Sequence, residues 1–234
     1  MIEKENTLSV GKEKLNGISL SLNNIGKYNI FSFHGAGRSN KERILYLLRE
    51  LVLRTDSSAF TFDFSGHGQS SGKLNELSLE KRAEQARCVI EKFGANDSIM
   101  IGSSMGGDTA LRMLRLFEPK LVVLFCPAIY AEEAFNIPFT DKFTEIIRKP
   151  YSWKTSGALK YLDEYQGKLL IFIGTEDAVI PEGVIELLDK HSSKVSRKEI
   201  IRIPNCSHRM HEFFPNNMKE KEAVISKIVD FIKS

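Results

Sequence analysis

Hydrophobic and polar positions along the 234-residue chain fall into two alternating kinds of segment. Short runs rich in β-branched and aromatic residues, NIFSF (29–33), AFTFDF (59–64), SIMIG (98–102), LVVLFC (121–126), LLIFIG (169–174) and EIIRI (199–203), are mostly apolar throughout, as strands buried on both faces are. TLSVG and GISLSLNN, around 7–24, predict an opening antiparallel hairpin. Between these runs, helices are predicted at 40–54, 79–93, 105–117, 182–191 and 217–232, several with apolar residues three and four apart, the period of a helix with one buried face. Asn40 and Ser78 stand where N-caps belong. The alternation predicts an α/β fold, a mostly parallel central sheet of about eight strands with helices on both faces. Residues 128–167, with Pro138, Pro150 and the only tryptophan, Trp153, are too long for an ordinary connection and read as a small lid-like insertion. Phe135, Ile137, Phe139, Phe143, Ile146, Ile147 and Trp153 supply apolar surface for packing it on the main domain, and some of them for lining a pocket.

Length and charge narrow the classes. A chain of this size buries one large core, so residues 1–234 are expected to form a single domain. Its net charge of +3 comes from 33 basic and 30 acidic residues scattered without a block of one sign, which gives no argument for a nucleic-acid partner. Cys88, Cys126 and Cys206 form an odd set without paired spacing, the usage expected of a reducing cytosol. The polar start, MIEKENTLSVGKEKLNG, lacks the apolar core of a signal peptide, and no apolar run is long enough to span a membrane. The expected location is therefore cytoplasmic. Oligomeric state is left open.

Candidate chemistry begins at Gly102-Ser103-Ser104-Met105-Gly106, a G-x-S-x-G pattern between a predicted strand and a predicted helix. A serine on so sharp a turn is forced into a strained conformation, and the residues two before and two after it must be small. Of Ser103 and Ser104, only Ser104 has glycine at both required positions. A serine hydroxyl needs a base to take its proton and a third group to orient that base. The loop after LLIFIG supplies Asp177 and the loop after EIIRI supplies His208. Loops at the carboxyl ends of parallel strands share one crevice, so Ser104, Asp177 and His208 are the candidate catalytic residues. Rivals are His211 for the base and Glu176 for the acid. The His208-x-x-His211 pair with Glu212 raises a metal reading, but no further ligand cluster accompanies it, so no metal is expected. Asp108 reads as a polar residue of its helix and Cys206 as an inert thiol. His34 and His67, in glycine-rich loops, read as structural, and His191 as solvated.

With these segments, with His34-Gly35-Ala36-Gly37, and with Asp63-Phe64-Ser65-Gly66-His67-Gly68-Gln69-Ser70, the chain resembles the α/β-hydrolase superfamily. The similar branch is that of small serine esterases, thioesterases and monoacylglycerol-lipase-like enzymes, and the resemblance covers roughly residues 27–233. It implies an α/β-hydrolase fold, a small-molecule acyl substrate, no cofactor, and an oxyanion hole formed by the backbone N–H groups of Ala36 and Met105. Serine at the elbow sets the chain apart from branches that use aspartate there. Peptidase or acyltransferase activity on the same fold, and a non-catalytic ligand-binding relative, remain as alternatives.

Overall fold

A computed structural model describes residues 1–23 and 26–234. Among them eight strands form one sheet: β1 (Ile2–Val10), β2 (Glu13–Ser21), β3 (Tyr28–Phe33), β4 (Ala59–Phe62), β5 (Gly94–Ser103), β6 (Leu121–Phe125), β7 (Lys168–Gly174) and β8 (Arg197–Ile203). The helices are α1 (Leu45–Thr55), α2 (Leu79–Phe93), α3 (Met105–Met113), α4 (Asp141–Ile147), α5 (Leu159–Leu162), α6 (Glu182–Lys190), α7 (Met210–Phe213) and α8 (Met218–Lys233). Strand order is β1-β2-β4-β3-β5-β6-β7-β8. The β1–β2 and β2–β4 pairs are antiparallel and every other pair is parallel. No helix among the described residues is long and apolar enough to cross a membrane.

Burial along each strand follows its place in the sheet. β3, β5, β6 and β7 are central, and their Ile30, Phe31, Ile99, Ile101, Val122, Leu124, Leu170 and Phe172 are fully buried, because helices cover both faces. β1 and β8 are the edges. β1 alternates in burial from Glu5 to Val10 and has Glu3 and Lys4 exposed before that, and β8 carries Arg197, Lys198, Glu199 and Arg202; charges of this kind discourage pairing with another chain. The opening hairpin is longer than the apolar pattern predicts, since β1 starts at Ile2 and registers Val10 against Glu13 across a turn at Gly11. The apolar count missed it because Glu3, Glu5, Thr7 and Ser9 fill the solvent face of this edge strand and Lys4 and Asn6 interrupt the inner one. Asn24, the last residue of the predicted hairpin, lies outside the described residues.

Helix termini divide the two predicted caps. The Ser78 side chain accepts the Lys81 N–H at 3.1 Å and starts α2. Asn40 holds extended backbone before a 3-10 turn at Lys41–Ile44, but its side chain makes no cap bond, so it does not cap as expected. α3 stops at Met113, short of 117, because the Leu114 and Leu116 N–H groups each bond three residues back, to the Leu111 and Met113 carbonyls, and Pro119 disfavours helix at the residue before it. α1 packs on α8, and α2 packs on α3.

Two features set the crevice. The chain runs outward from β3 to β4, then crosses back over β3 to β5, so strand order reverses between β3 and β5 and the loops leaving them diverge. The loops after β3 and β4 are then tied together by a buried ion pair. Lys41 Nζ lies 2.8 Å from Asp63 Oδ2, with side chains 2% and 0% exposed. The same carboxylate accepts the backbone N–H of Lys41 at 2.8 Å and of Gln69 at 3.1 Å. β4 ends at Phe62, earlier than the apolar run suggests, because Asp63 turns into this pair.

Residues 128–167 are built from a 3-10 turn, α4, a second 3-10 turn and α5. They lie against the start of α2, where the Glu80 N–H donates to Phe135 O at 2.9 Å and the Phe139 N–H to Leu77 O at 2.8 Å. Phe143 and Ile146 are buried with Leu79, Met105, Ala131 and Ala134.

Lys41→Met leaves Asp63 buried with two N–H donors and no cation. Removing one partner of a buried pair costs about 3–5 kcal/mol, and the two remaining hydrogen bonds set the expectation at about 3 kcal/mol. A urea titration measures it, and a loss below about 1 kcal/mol would show that the pair is not what holds the two loops.

Candidate active site

The turn between β5 and α3 carries Ser104 at φ 51°, ψ −118°, a region that a non-glycine residue enters at a cost of order 1–3 kcal/mol. Three backbone bonds hold it there. Its N–H donates to Phe125 O at 2.9 Å, and its carbonyl accepts from Gly107 N at 2.8 Å and Ala128 N at 3.0 Å. The flanking glycines are needed for space. A Cβ on Gly102 would stand 2.5 Å from the Gly106 carbonyl oxygen, and one on Gly106 would overlap the carbonyl oxygen of Phe33. Gly35 faces the serine itself, its added Cβ falling 3.3 Å from Ser104 Cβ. The backbones of β3, its following loop and the first turn of α3 therefore meet with no room for side chains.

The other two sequence candidates meet at this turn. His208 Nε2 is 3.1 Å from Ser104 Oγ, and His208 Nδ1 is 2.9 Å from Asp177 Oδ2. An ionised carboxylate only accepts, so Nδ1 carries the proton, and Nε2 is left as the acceptor for the serine hydroxyl. Asp177 Oδ1 accepts the N–H groups of Val179 at 2.8 Å and Ile180 at 3.0 Å. Burial pushes this carboxyl up, but the bonds from His208, Cys126, Ile180 and Val179 outweigh it and hold the pKa at about 2. The Asp177 side chain is 1% exposed and that of His208 21%, so the acid is sealed and the imidazole opens to the crevice. Of the rivals, Glu176 is exposed, His211 lies 3.5 Å from Glu212, and Ser103 is the last residue of β5, paired with Phe125.

Cys126 stands out in the sequence only as one of three cysteines without paired spacing, whereas its sulfur, a carboxylate oxygen of Asp177 and a ring nitrogen of His208 lie within 4.8 Å of one another. Burial and the Asp177 charge push the thiol up; it stays protonated and donates to the acid. A cation bound by these three groups would need a thiolate and would compete with the His208–Asp177 bond. Asp108 is also buried, 2.8 Å from Arg112 Nε, and belongs to a polar cluster on α3, as expected of a residue of that helix.

Behind the serine, α2 turns two polar side chains inward on its buried face. Arg82 Nη2 donates to the His34 carbonyl at 2.5 Å, its guanidinium lies 3.7 Å from the centre of the Phe64 ring, and Gln85 binds both the N–H and the hydroxyl of Ser65. His34 donates from Nδ1 to Gly35 O at 2.7 Å and accepts the Phe64 N–H at Nε2, 3.1 Å away. Burial, then Arg82, hold its pKa well below the ordinary histidine value, so it is a neutral bridge between the loops after β3 and β4. Arg82 and Gln85 were not singled out from sequence; the available signal was two polar residues on the apolar face of a helical repeat.

A cavity of about 530 Å³ opens beside Ser104. Gly35, Ala36 and residues 38–40 wall one side, His208 to His211 the other, and Phe33 and Phe125 also line it. No residue of 128–167 lines it. The apolar residues of that segment are spent on packing against α2, α3 and α6, where Trp153 covers Gly183. Asn40, freed from capping, lines this cavity. Ala36 also lines it, and Met105 is the first residue of α3, whose N–H has no partner within the helix.

Comparison with known proteins agrees with the architecture. Residues 27–157 match the family model described as serine aminopeptidase, S33. Alpha/beta hydrolase domain-containing protein 17C of Xenopus tropicalis is 28% identical over 133 residues, 56% of this chain and 40% of the relative; the chain thus spans well under half the length of that protein. The bromoperoxidase of Bacillus anthracis superposes with a TM-score of 0.73 at 15% identity, covering 99% of this chain and 100% of its own. Est1E of Butyrivibrio proteoclasticus, solved with ferulic acid, gives 0.72 at 19%, covering 98% and 100%. At those identities the two structures speak for the fold alone.

Gly106→Ala is expected to lose more than about 3 kcal/mol, above the usual range for overpacking, because a backbone carbonyl cannot move aside. Gly37→Ala has φ 65° and open space around its Cβ, and should lose only about 1–2 kcal/mol. Thermal melting of the two variants compares them, and equal losses would mean that backbone strain rather than close approach governs the turn.

Proposed function

The chain belongs to the serine aminopeptidase S33 family of α/β-hydrolases, and from that premise we propose that it is a serine hydrolase cleaving a carboxylic ester, or thioester, of a small to medium acyl substrate. The observation that carries this is the hydrogen-bonded line from Ser104 through His208 to Asp177. In this reading the Ser104 hydroxyl adds to the carbonyl as its proton passes to His208 Nε2. The C–O or C–S bond then breaks, the imidazolium returns that proton to the leaving group, and an acyl-serine remains. Water, activated by the same imidazole, releases the acid. The N–H groups of Ala36 and Met105 are the proposed donors to the oxyanion. Residues 1–234 act as one hydrolase domain, with 128–167 a lid-like insertion anchored on α2.

The family description raises a peptidase acting at a free amino terminus. Recognition of an ammonium group calls for a carboxylate, and the lining of the cavity beside Ser104 includes none. That favours the ester.

Ser104→Ala should remove labelling by a fluorophosphonate and lower turnover of a p-nitrophenyl ester by about 10⁴-fold or more, and His208→Ala and Asp177→Asn should be comparably damaging. His211→Ala and Glu176→Gln should stay within a few-fold of the parent protein. Retained labelling of Ser104→Ala, or a damaging Glu176→Gln beside a mild Asp177→Asn, would sink the assignment.

The acid arm of the rate profile follows from the protonation states. Asp177, depressed to about 2, stays ionised as pH falls from neutrality, while the imidazole must be neutral to accept the serine proton. kcat/KM should therefore fall on acidification with a slope of one, the signature of a single ionisation. A slope of two above pH 4 would mean that the carboxylate titrates with the imidazole.

A further inference from the structure

The charged groups around the cavity are all of one sign. Arg38, Arg43 and Arg209 line it together with His208 and His211, and no Asp or Glu does. Elsewhere arginines sit beside acids: Arg49 with Glu3, Arg54 with Glu50 and Glu222, Arg87 with Glu84 and Glu91, Arg202 with Glu182. Among the cavity arginines, only Arg209 has a carboxylate, Glu212, at a loose 3.5 Å. Arg38 and Arg43 have no hydrogen-bond or ion-pair partner among the described residues. Both follow β3 on the segment that also supplies Ala36, so they approach the cavity from the side opposite His208. Burial, and after it the charge of Arg43, hold the pKa of His211 down. Arg115 and Arg148 are likewise unpaired but are not part of this lining.

We propose that this cavity selects an ester or thioester whose acyl chain carries an oxyanionic group, a carboxylate or a phosphate, which pairs with Arg38 and Arg43 while the scissile carbonyl sits at Ser104. The inference rests on the hydrolase reading above and adds the substrate class to it. Two guanidinium forks without acids present donors that fit a carboxylate or phosphate bidentately. A concave wall of one sign also raises the local concentration of the opposite charge before any contact forms. Hydrolysis of such a substrate consumes one water and yields an acid bearing two anionic groups plus the alcohol or thiol, and the enlarged charge requires no new partner because the arginines face it throughout.

The test compares mono-p-nitrophenyl adipate with its neutral isostere, methyl p-nitrophenyl adipate. The anionic ester should be preferred in kcat/KM by about five- to tenfold, carried by KM, as expected for partly exposed charge pairs. The preference should shrink in 0.5 M NaCl. The Arg38→Gln, Arg43→Gln double variant should bring the ratio towards one, whereas the Arg115→Gln, Arg148→Gln double variant, the same charge change outside the cavity, should leave the ratio as it is. Equal use of the two esters by the parent protein, or a ratio that the double variant does not move, overturns the proposal while leaving the hydrolase reading intact. If neither ester turns over and no fluorophosphonate label appears at Ser104, it is the hydrolase reading that fails. Calorimetric titration of the protein with monomethyl adipate, dimethyl adipate and inorganic phosphate then reads the anion site without turnover. Tighter binding of monomethyl adipate or phosphate than of dimethyl adipate supports the site and says which oxyanion it prefers; no difference removes it.

Discussion

The close approach of three backbone segments governs everything at the mouth of the sheet. The last residue of β3, the loop that follows it, and the first turn of α3 touch through Phe33, Gly35 and Gly106 with no side chain between them. Ser104 can hold its positive φ only because this contact and the bonds to Phe125, Gly107 and Ala128 over-determine it. The strain has a directional result: Oγ stands out from the sheet at the point where strand order reverses, within 3.1 Å of an imidazole delivered from the far edge of the fold. A relaxed turn would lay the hydroxyl back against α3.

That contact needs rigid surroundings, and they are polar. Asp63 with Lys41, Arg82 with the His34 carbonyl, and Gln85 with Ser65 bind the loops after β3 and β4 to each other and to α2. Buried charge is an expensive way to fix a loop. Its merit is direction: a lysine on a carboxylate that also accepts two backbone N–H groups admits one arrangement of chain, where an apolar contact admits many. The neutral His34 continues the same web towards Gly35 and the serine.

Much of this was legible in the chain. Central strands announce themselves because burial on both faces leaves only apolar residues, and the glycine spacing around Ser104 reflects a packing demand that any sequence with this turn must meet. Asp177 and His208 were readable because they follow strands whose ends must share a crevice. β1 was only half read, since an edge strand shows its solvent face as charge. Asn40 looked like a cap, but the turn after it takes no bond from its side chain, and the residue lines the cavity instead. The aromatic residues of 128–167 suggested a pocket wall and instead pack on α2 and α6, because composition reports that apolar area must be covered and says nothing of which neighbour covers it. Cys126, Arg82 and Gln85 stayed silent for a related reason: what they do depends on long-range partners, and neither hydrophobicity nor period encodes those.

The arrangement of the cavity walls bears on how such a protein can diversify. One wall is four consecutive residues, His208 to His211, so the imidazole that meets Ser104 shares a short stretch of chain with the cavity lining, and under the proposed function a change there would alter ligand choice and reactivity together. The opposite wall, from Arg38 to Tyr46, shares no side chain with the Ser104–His208–Asp177 line. Duplicated copies drifting apart would accumulate tolerated differences at the exposed positions of that second wall, Arg38 and Arg43 among them, and the insertion, which adds no residue to the lining, would record ancestry more than preference.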